Sequence, residues 1–307
     1  MTTMAKSTSH HGNRIRQARS DRVFLIVVYS ILVLLCLICL VPLVYILSTS
    51  FSSGSAIYAG KVFFWPVGFN TGAYQILLKT GRLGLYFMNS VEVTLVGTAL
   101  SMAGTILCAY PLSKKYMIGR RGFSFYCIFT MLFGGGMIPT YLLVRNLGLL
   151  NTYWAVWLVG MISPYNMIIL RSFFEGIPEE LEEAAIIDGC GEWRKLFSLY
   201  LPLAGAAIAT LTLFYAVGYW NTYQKVFLYI NNTKKYTLPV YIQQMVFQLQ
   251  QLDVDNPDAQ AIAAVNDVVS EGVKNASIVV LVLPMLVVYP FIQKYFVKGV
   301  TIGAVKG

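Results

Sequence analysis

Pro178-Glu179-Glu180-Leu181-Glu182-Glu183-Ala184-Ala185-Ile186-Ile187-Asp188-Gly189, with Leu201-Pro202 beginning twelve residues after Gly189, decides how this chain reads. It is an acidic, helix-forming insert lodged between two long apolar runs. Pro178 suits the first position of a helix, because its ring fixes φ and its missing N–H is not needed there. Glu179, Glu180, Glu182 and Glu183 fall in the opening turns, where the helix dipole favours anions. Gly189 can take the left-handed conformation that ends a helix. The expectation is a short helix over Pro178–Asp188, about three turns long. Leu181, Ala184, Ala185 and Asp188 recur at helical spacing and give a narrow face of mostly small residues, over which another backbone can come close. A second helical segment is expected from Glu192 to Leu201, carrying Trp193, Leu196, Phe197 and Tyr200.

A helix this short is marginal alone and needs a groove to lie in. A helix resting on a lipid surface carries a basic polar face. Here that face is acidic, and anionic lipids would repel it. A protein partner is the better groove.

Of the 307 residues, 57% are hydrophobic and 12% charged, and the mean hydropathy is +0.63. Soluble domains carry about 25% charged residues, so the bilayer is the main solvent. The net charge of +9 comes from basic residues at the ends of apolar runs. They form no stripe, which argues against nucleic acid as a partner. Cys36 and Cys39 have redox or metal spacing, but they sit in an uninterrupted apolar run with no histidine beside them and read as small lipid-soluble side chains. His10 and His11 lie in a polar tail, and no metal site is expected. No cleavable signal peptide is evident, since the first apolar run is too long and follows a 22-residue polar tail.

A membrane-crossing helix needs about 20 mostly apolar residues. Six runs qualify: Val23 to Ser48, Leu85 to Leu112, Phe123 to Val144, Tyr153 to Leu170, Leu203 to Tyr223 and Ala276 to Phe296. The tail, the loop with Lys114, Lys115, Arg120 and Arg121, the acidic loop and the C-terminal end hold 15 Lys and Arg; the other face holds 8. The positive-inside rule puts both termini and the acidic loop in the cytoplasm. The chain then divides into a basic tail, 1–22, and a transmembrane domain, 23–307, carrying the loop 171–202. Two outer segments, about 50–84 and 224–275, are long enough to dock a partner or to serve as solvated linkers.

Glu92 is the lone carboxylate within a span. It reads either as lining of a polar path or as a residue near the outer interface, pairing with Asn89 and Ser90. Tyr219, Trp220 and Asn221 offer the aromatic faces and amide that bind sugars; an aromatic belt at the outer interface is the other reading. Gly134-Gly135-Gly136 and Pro139 should loosen the third span, for gating or for close packing.

Glu183-Ala184-Ala185, three residues, Gly189, nine residues, Leu199, one residue, Leu201-Pro202 resembles the coupling motif of ABC-importer permeases, with Leu199 where that pattern has Ile. The resemblance extends through Asn89-Ser90, Ala109-Tyr110-Pro111-Leu112, Ile138-Pro139-Thr140, Trp220-Asn221 and the ending Gly299–Gly307. These are similar to the carbohydrate-uptake branch, the maltose-permease-like group. Gly134-Gly135-Gly136 and Phe214–Asn221 look most like its lipoprotein-associated oligosaccharide subgroup. The resemblance implies the six-span, all-α fold of type I ABC importer permeases in a bacterial cytoplasmic membrane. It also implies four partners: a second permease subunit, two cytoplasmic ATPase subunits and an extracytoplasmic solute-binding protein. ATP and Mg would be bound by the ATPases, leaving no cofactor here. The chain has no G-x-x-x-x-G-K-[ST] phosphate loop, so a non-catalytic subunit is expected. Glu183, Ala184, Ala185, Asp188, Gly189, Leu201 and Pro202 would carry ATPase coupling. Glu92, Asn89, Tyr219, Trp220 and Asn221 are candidates for a substrate path. A stand-alone carrier or channel, and an ABC permease for a non-sugar solute, remain the alternatives.

Overall fold

The computed structural model describes residues 19–79, 81–255 and 270–304. His10 and His11 lie outside the described residues. Every regular element among the described residues is helical. α1 (Arg19–Ser50) takes in Arg19 to Arg22 of the expected tail, and its apolar side chains from Ile31 to Leu40 are exposed. Two short helices follow, α2 (Gly54–Tyr58) and α3 (Gly72–Lys79). α4 (Leu83–Ser113) is an unbroken rod of 31 residues at the centre of the core.

The other expected spans are less regular. The third is two helices, α5 (Arg120–Leu132) and α6 (Met137–Asn146), bent by 114°. Gly136, at φ 83, turns the chain between them. The fourth is not one helix. α7 (Tyr153–Leu158) and α8 (Pro164–Glu175) are separated by five residues, where Gly160 takes φ 71 and Ser163 caps α8. The acidic loop holds α9 (Glu179–Ile187), α10 (Glu192–Lys195), a π-helical turn (Leu196–Tyr200) and α11 (Leu201–Leu203). α12 (Gly205–Trp220) leaves that segment at an angle of 83°. α13 (Gln224–Tyr229), α14 (Leu238–Asp255) and α15 (Ser270–Ala304) complete the described chain. Three described helices are long and apolar enough to cross a bilayer, or up to five if each bent pair is one span. Among the described residues the six expected runs are therefore not all continuous helices; Gly136 lies at the break of the third, and Gly160 and Pro164 at that of the fourth.

Non-helical backbone at membrane depth is tolerated only where protein satisfies its polar groups. The α7–α8 break meets that condition. Tyr219 Oη donates to Trp157 O at 3.2 Å, and Lys225 Nζ donates to Val159 O at 2.5 Å. The Ser163 amide donates to Tyr215 Oη at 3.0 Å. The same two tyrosines, one turn apart on α12, pair with hydroxyls one turn apart on α4: Ser101 at 2.9 Å and Thr105 at 2.7 Å. Three elements are thus pinned by two phenols. Tyr219→Phe should strand Trp157 O and lower stability by about 1–3 kcal/mol. Thermal unfolding in detergent tests this, and an unchanged midpoint would refute the assignment.

Candidate coupling site at the acidic loop

α9 starts and ends one residue inside the expected bounds. Pro178 flanks the helix at φ −54, ψ 135 instead of occupying its first turn. The C-terminal end forms a Schellman motif. The Gly189 amide donates to Ile186 O at 2.9 Å and the Cys190 amide to Ala185 O at 2.9 Å, with Gly189 at φ 72. Downstream, Pro202 has no N–H to offer Ser198. The chain responds with a wider turn, in which the Leu201 amide reaches Leu196 O.

Glu183, Ala184, Asp188, Gly189 and Pro202 are exposed, and Ala185 and Leu201 are half-buried. Beside them Leu181, Ile186, Ile187, Trp193 and Phe197 are also exposed. Large apolar residues grouped on a charged, solvent-facing loop mark an interaction surface. This surface lies at the positions named for coupling.

The opposite side of α9 is tied down. Glu182 Oε1 accepts from Lys114 Nζ at 2.6 Å and from Lys195 Nζ at 3.3 Å, and Glu182 Oε2 accepts from Tyr200 Oη at 2.8 Å. Lys114 and Lys195 are 5% and 3% exposed, so both charges depend on these partners. The Lys114 ammonium also lies 3.7 Å from the Tyr200 ring centre and 4.6 Å from that of Tyr110. Glu192 closes the set, accepting from Tyr110 Oη at 2.7 Å and pairing with Lys195 at 2.6 Å. Farther out, Lys115 pairs with Glu179, and Arg120 and Arg171 share Glu175. A cleft of about 430 Å³ runs between the end of α4 and α9, lined by Lys114, Glu179, Glu182, Ile186 and Tyr200.

Burial pushes the Glu182 carboxyl up, but hydrogen bonds from Lys114 and Tyr200 outweigh it and hold the group below the usual carboxylate range. At Lys114 burial wins and lowers the ammonium, against the pull of Glu182. The two partners therefore disagree on the pair. Its 2.6 Å length and the two flanking rings favour the ionised form. A depressed carboxyl stabilises the fold above its unfolded pKa, and that contribution is lost as pH falls through the folded value. The stability advantage of wild type over Glu182→Gln should be full at about pH 7 and shrink below about pH 4. Unfolding midpoints across that range measure it; a pH-independent gap would contradict the pairing.

The candidate path residues are placed differently. Asn89 is buried, and its Nδ2 donates to Lys234 O at 2.8 Å and Tyr236 O at 2.9 Å. Ser90 Oγ accepts from the Leu238 amide at 2.8 Å. Asn89 and Ser90 therefore hold the segment 234–238 instead of partnering Glu92, which is exposed. Tyr219 and Trp220 are buried, and Trp220 Nε1 donates to Leu281 O at 3.1 Å. Asn221 is exposed. The buried three already have polar partners within the chain. Among the described residues no His, Cys, Asp and Glu side chains group as a metal site.

Sequence reasoning did not single out Lys114, Lys195, Tyr200 or Glu192, and Glu182 was only one of four helix-start acids. The available signal was spacing: Glu182 lies on the turn between Glu179 and Ile186, on the side opposite Ile187.

Residues 12–302 match the family described as "Binding-protein-dependent transport system inner membrane component". The chain is 42% identical over 287 residues to the "Polygalacturonan/rhamnogalacturonan transport system permease protein YtcP" of Bacillus subtilis (strain 168), covering 94% of this chain and 99% of that one. It is 43% identical over 263 residues to "Protein LplC" of the same organism, covering 86% and 88%. A chain from the crystal structure of a bacterial ABC transporter involved in import of the acidic polysaccharide alginate superposes with TM-score 0.81 at 36% identity. The match covers 91% of this chain and 99% of that one. The family match spans nearly the whole chain, and two-thirds or more of each of these relatives is covered: the chain belongs to the binding-protein-dependent transport system inner membrane components, the permeases of ABC importers.

Proposed function

We propose that this protein is one permease half of a bacterial ABC importer that takes up an oligosaccharide derived from plant or algal polysaccharide. The observation that carries the reading is the near full-length match to YtcP, combined with an exposed acidic helix at the coupling positions. The relatives' printed names, and the alginate importer among the solved structures, support a sugar over another solute. The chain spans the cytoplasmic membrane six times, two of the spans broken, with both termini and the loop 171–202 in the cytoplasm. Residues 1–22 form the basic tail, and residues 23–307 form the permease domain.

The partners are a second, different permease subunit, two ATPases that bind ATP and Mg, and an extracytoplasmic binding protein. ATP closes the ATPase pair, and the exposed face with Glu183, Ala184, Asp188 and Gly189 is carried with it. The packed helices then rock between inward- and outward-open states. The chain itself supplies rigid geometry and no chemistry. Glu92 and Asn221, both exposed, are the path residues left available to cargo.

Native purification of the complex tests the assembly. An ATPase and a second permease should copurify, and galacturonan oligosaccharides should enter proteoliposomes only with ATP inside. Uptake by this chain alone would replace the reading with a stand-alone carrier.

A further inference from the structure

We propose that Glu182, Lys114, Lys195 and Tyr200 form a clamp that hands the motion of α9 directly to α4, making α4 the lever between the cytoplasmic loop and the outer segment 234–238. The proposal rests on the coupling role given above to the acidic loop.

Motion of α9 has two routes into the membrane. The route along the chain passes the left-handed Gly189, the π-helical turn and the 83° bend before α12. Each is a departure from the stiff i→i−4 ladder, and each absorbs rotation. The side-chain route is short. Glu182 lies at the middle of α9, and its carboxylate meets Lys114, the residue that caps the C-terminal end of α4. Lys114 is 5% exposed and is flanked by the rings of Tyr110 and Tyr200. Its ammonium is held between those rings and the Glu182 carboxylate, so displacement of α9 acts on it directly. Lys195 at the end of α10 and Tyr200 in the π-helical turn reach the same carboxylate, so α9 and α10 share one anchor. Glu192 bonds Tyr110 and adds a second tie to α4 itself.

α4 is suited to carry the displacement. It runs unbroken from Leu83 to Ser113, about 46 Å at 1.5 Å per residue. At its far end Asn89 and Ser90 hold three backbone groups of the outer segment, at Lys234, Tyr236 and Leu238. One rod thus has the acidic helix bonded to one end and outer backbone bonded to the other.

The test uses spin labels in a background with the native cysteines replaced. Labels at Ile118 and Ile187, both strongly exposed, report the clamp in the purified chain. Wild type should give one narrow distance distribution. Lys114→Met and Glu182→Gln should each broaden it, and the double substitution should broaden it no further, because the two residues form one joint. Lys114→Arg should restore a narrow distribution. A second pair, at Tyr58 and Thr233 on the outer segments, reports the assembled complex with its ATPases. ATP with vanadate should shift that distance in wild type, and Lys114→Met should lose the shift while retaining the bound ATPase and its hydrolysis. An unchanged first distribution in both single variants would overturn the clamp, as would a full outer shift in Lys114→Met. Absence of any ATPase from wild-type complexes would instead sink the coupling reading, while the first label pair still judges the clamp.

Discussion

Gly97→Val should destabilise this protein more than any other single glycine change in the core, by about 3 kcal/mol or more. Gly97 sits where α4 meets α12. A β-carbon there would lie 2.7–2.8 Å from three atoms of the Tyr219 ring. Such a distance requires the ring to move, yet its hydroxyl is fixed by Ser101 Oγ at 2.9 Å and Trp157 O at 3.2 Å. Overpacking alone costs about 1–3 kcal/mol. Rotating the ring away adds the loss of buried hydrogen bonds, about 1–3 kcal/mol where a partner is left unpaired. Even Gly97→Ala should destabilise, although alanine favours a helix by about 1 kcal/mol over glycine. Gly218→Ala on α12 is the control, since a β-carbon there meets nothing within 4 Å. Unfolding midpoints in detergent, with detergent-extracted yield, measure the series. A Gly97→Val variant as stable as wild type would mean that α4 and α12 do not approach as described.

The close approach at Gly97 also shows what the sequence concealed. Long apolar runs made the membrane class plain, and the Pro178–Gly189 pattern placed a short acidic helix to within one residue at each end. Both signals are local, resting on hydropathy and on capping chemistry. The breaks were harder to see. Gly134–Gly136 pointed to a loosened third span, and the chain does bend there by 114°. The fourth run carried equivalent punctuation, Gly160 and Pro164, but its hydropathy stayed high enough to suggest one helix. What makes the break tolerable lies more than 50 residues away, in Tyr215 and Tyr219. Pairing across that distance leaves no periodic trace. The same reason hid the clamp. Lys114 and Lys195 are basic residues beside apolar runs, and the positive-inside rule accounts for them as topology markers. Their burial against Glu182 depends on the fold that brings the end of α4 to α9. Tyr219 and Trp220 were legible as aromatics and amide neighbours, and illegible as core, because helix α12 is apolar on all sides.

Gly189→Val should leave the protein folded and membrane-inserted while cutting ATP-driven uptake several-fold, up to about tenfold. Gly189 holds φ 72, and both Schellman bonds depend on that conformation. A side chain there meets nothing within 4 Å, so the penalty is backbone strain and not collision. Left-handed geometry costs an L-residue about 1–2 kcal/mol, and a β-branched residue sits at the upper end of that range. For the whole protein this is minor. For a helix of nine residues it is decisive, because so short a helix has little stability of its own. At 1.4 kcal/mol per tenfold, the strain lowers the ratio of capped to uncapped loop about tenfold, and the capped population falls in proportion where the short helix starts near balance. The exposed positions Glu183, Ala184 and Asp188 then lose their fixed spacing to Trp193 and Phe197, and the ATPase meets a frayed end. Gly189→Asn should retain most uptake, since asparagine tolerates the left-handed region. Proteoliposome uptake and ATP hydrolysis, measured together on the assembled complex, separate the outcomes. Hydrolysis that continues while uptake falls, with Asn better than Ala and Ala better than Val, is the expected order. Normal uptake in Gly189→Val would show that the capped geometry of this loop plays no part in transmission.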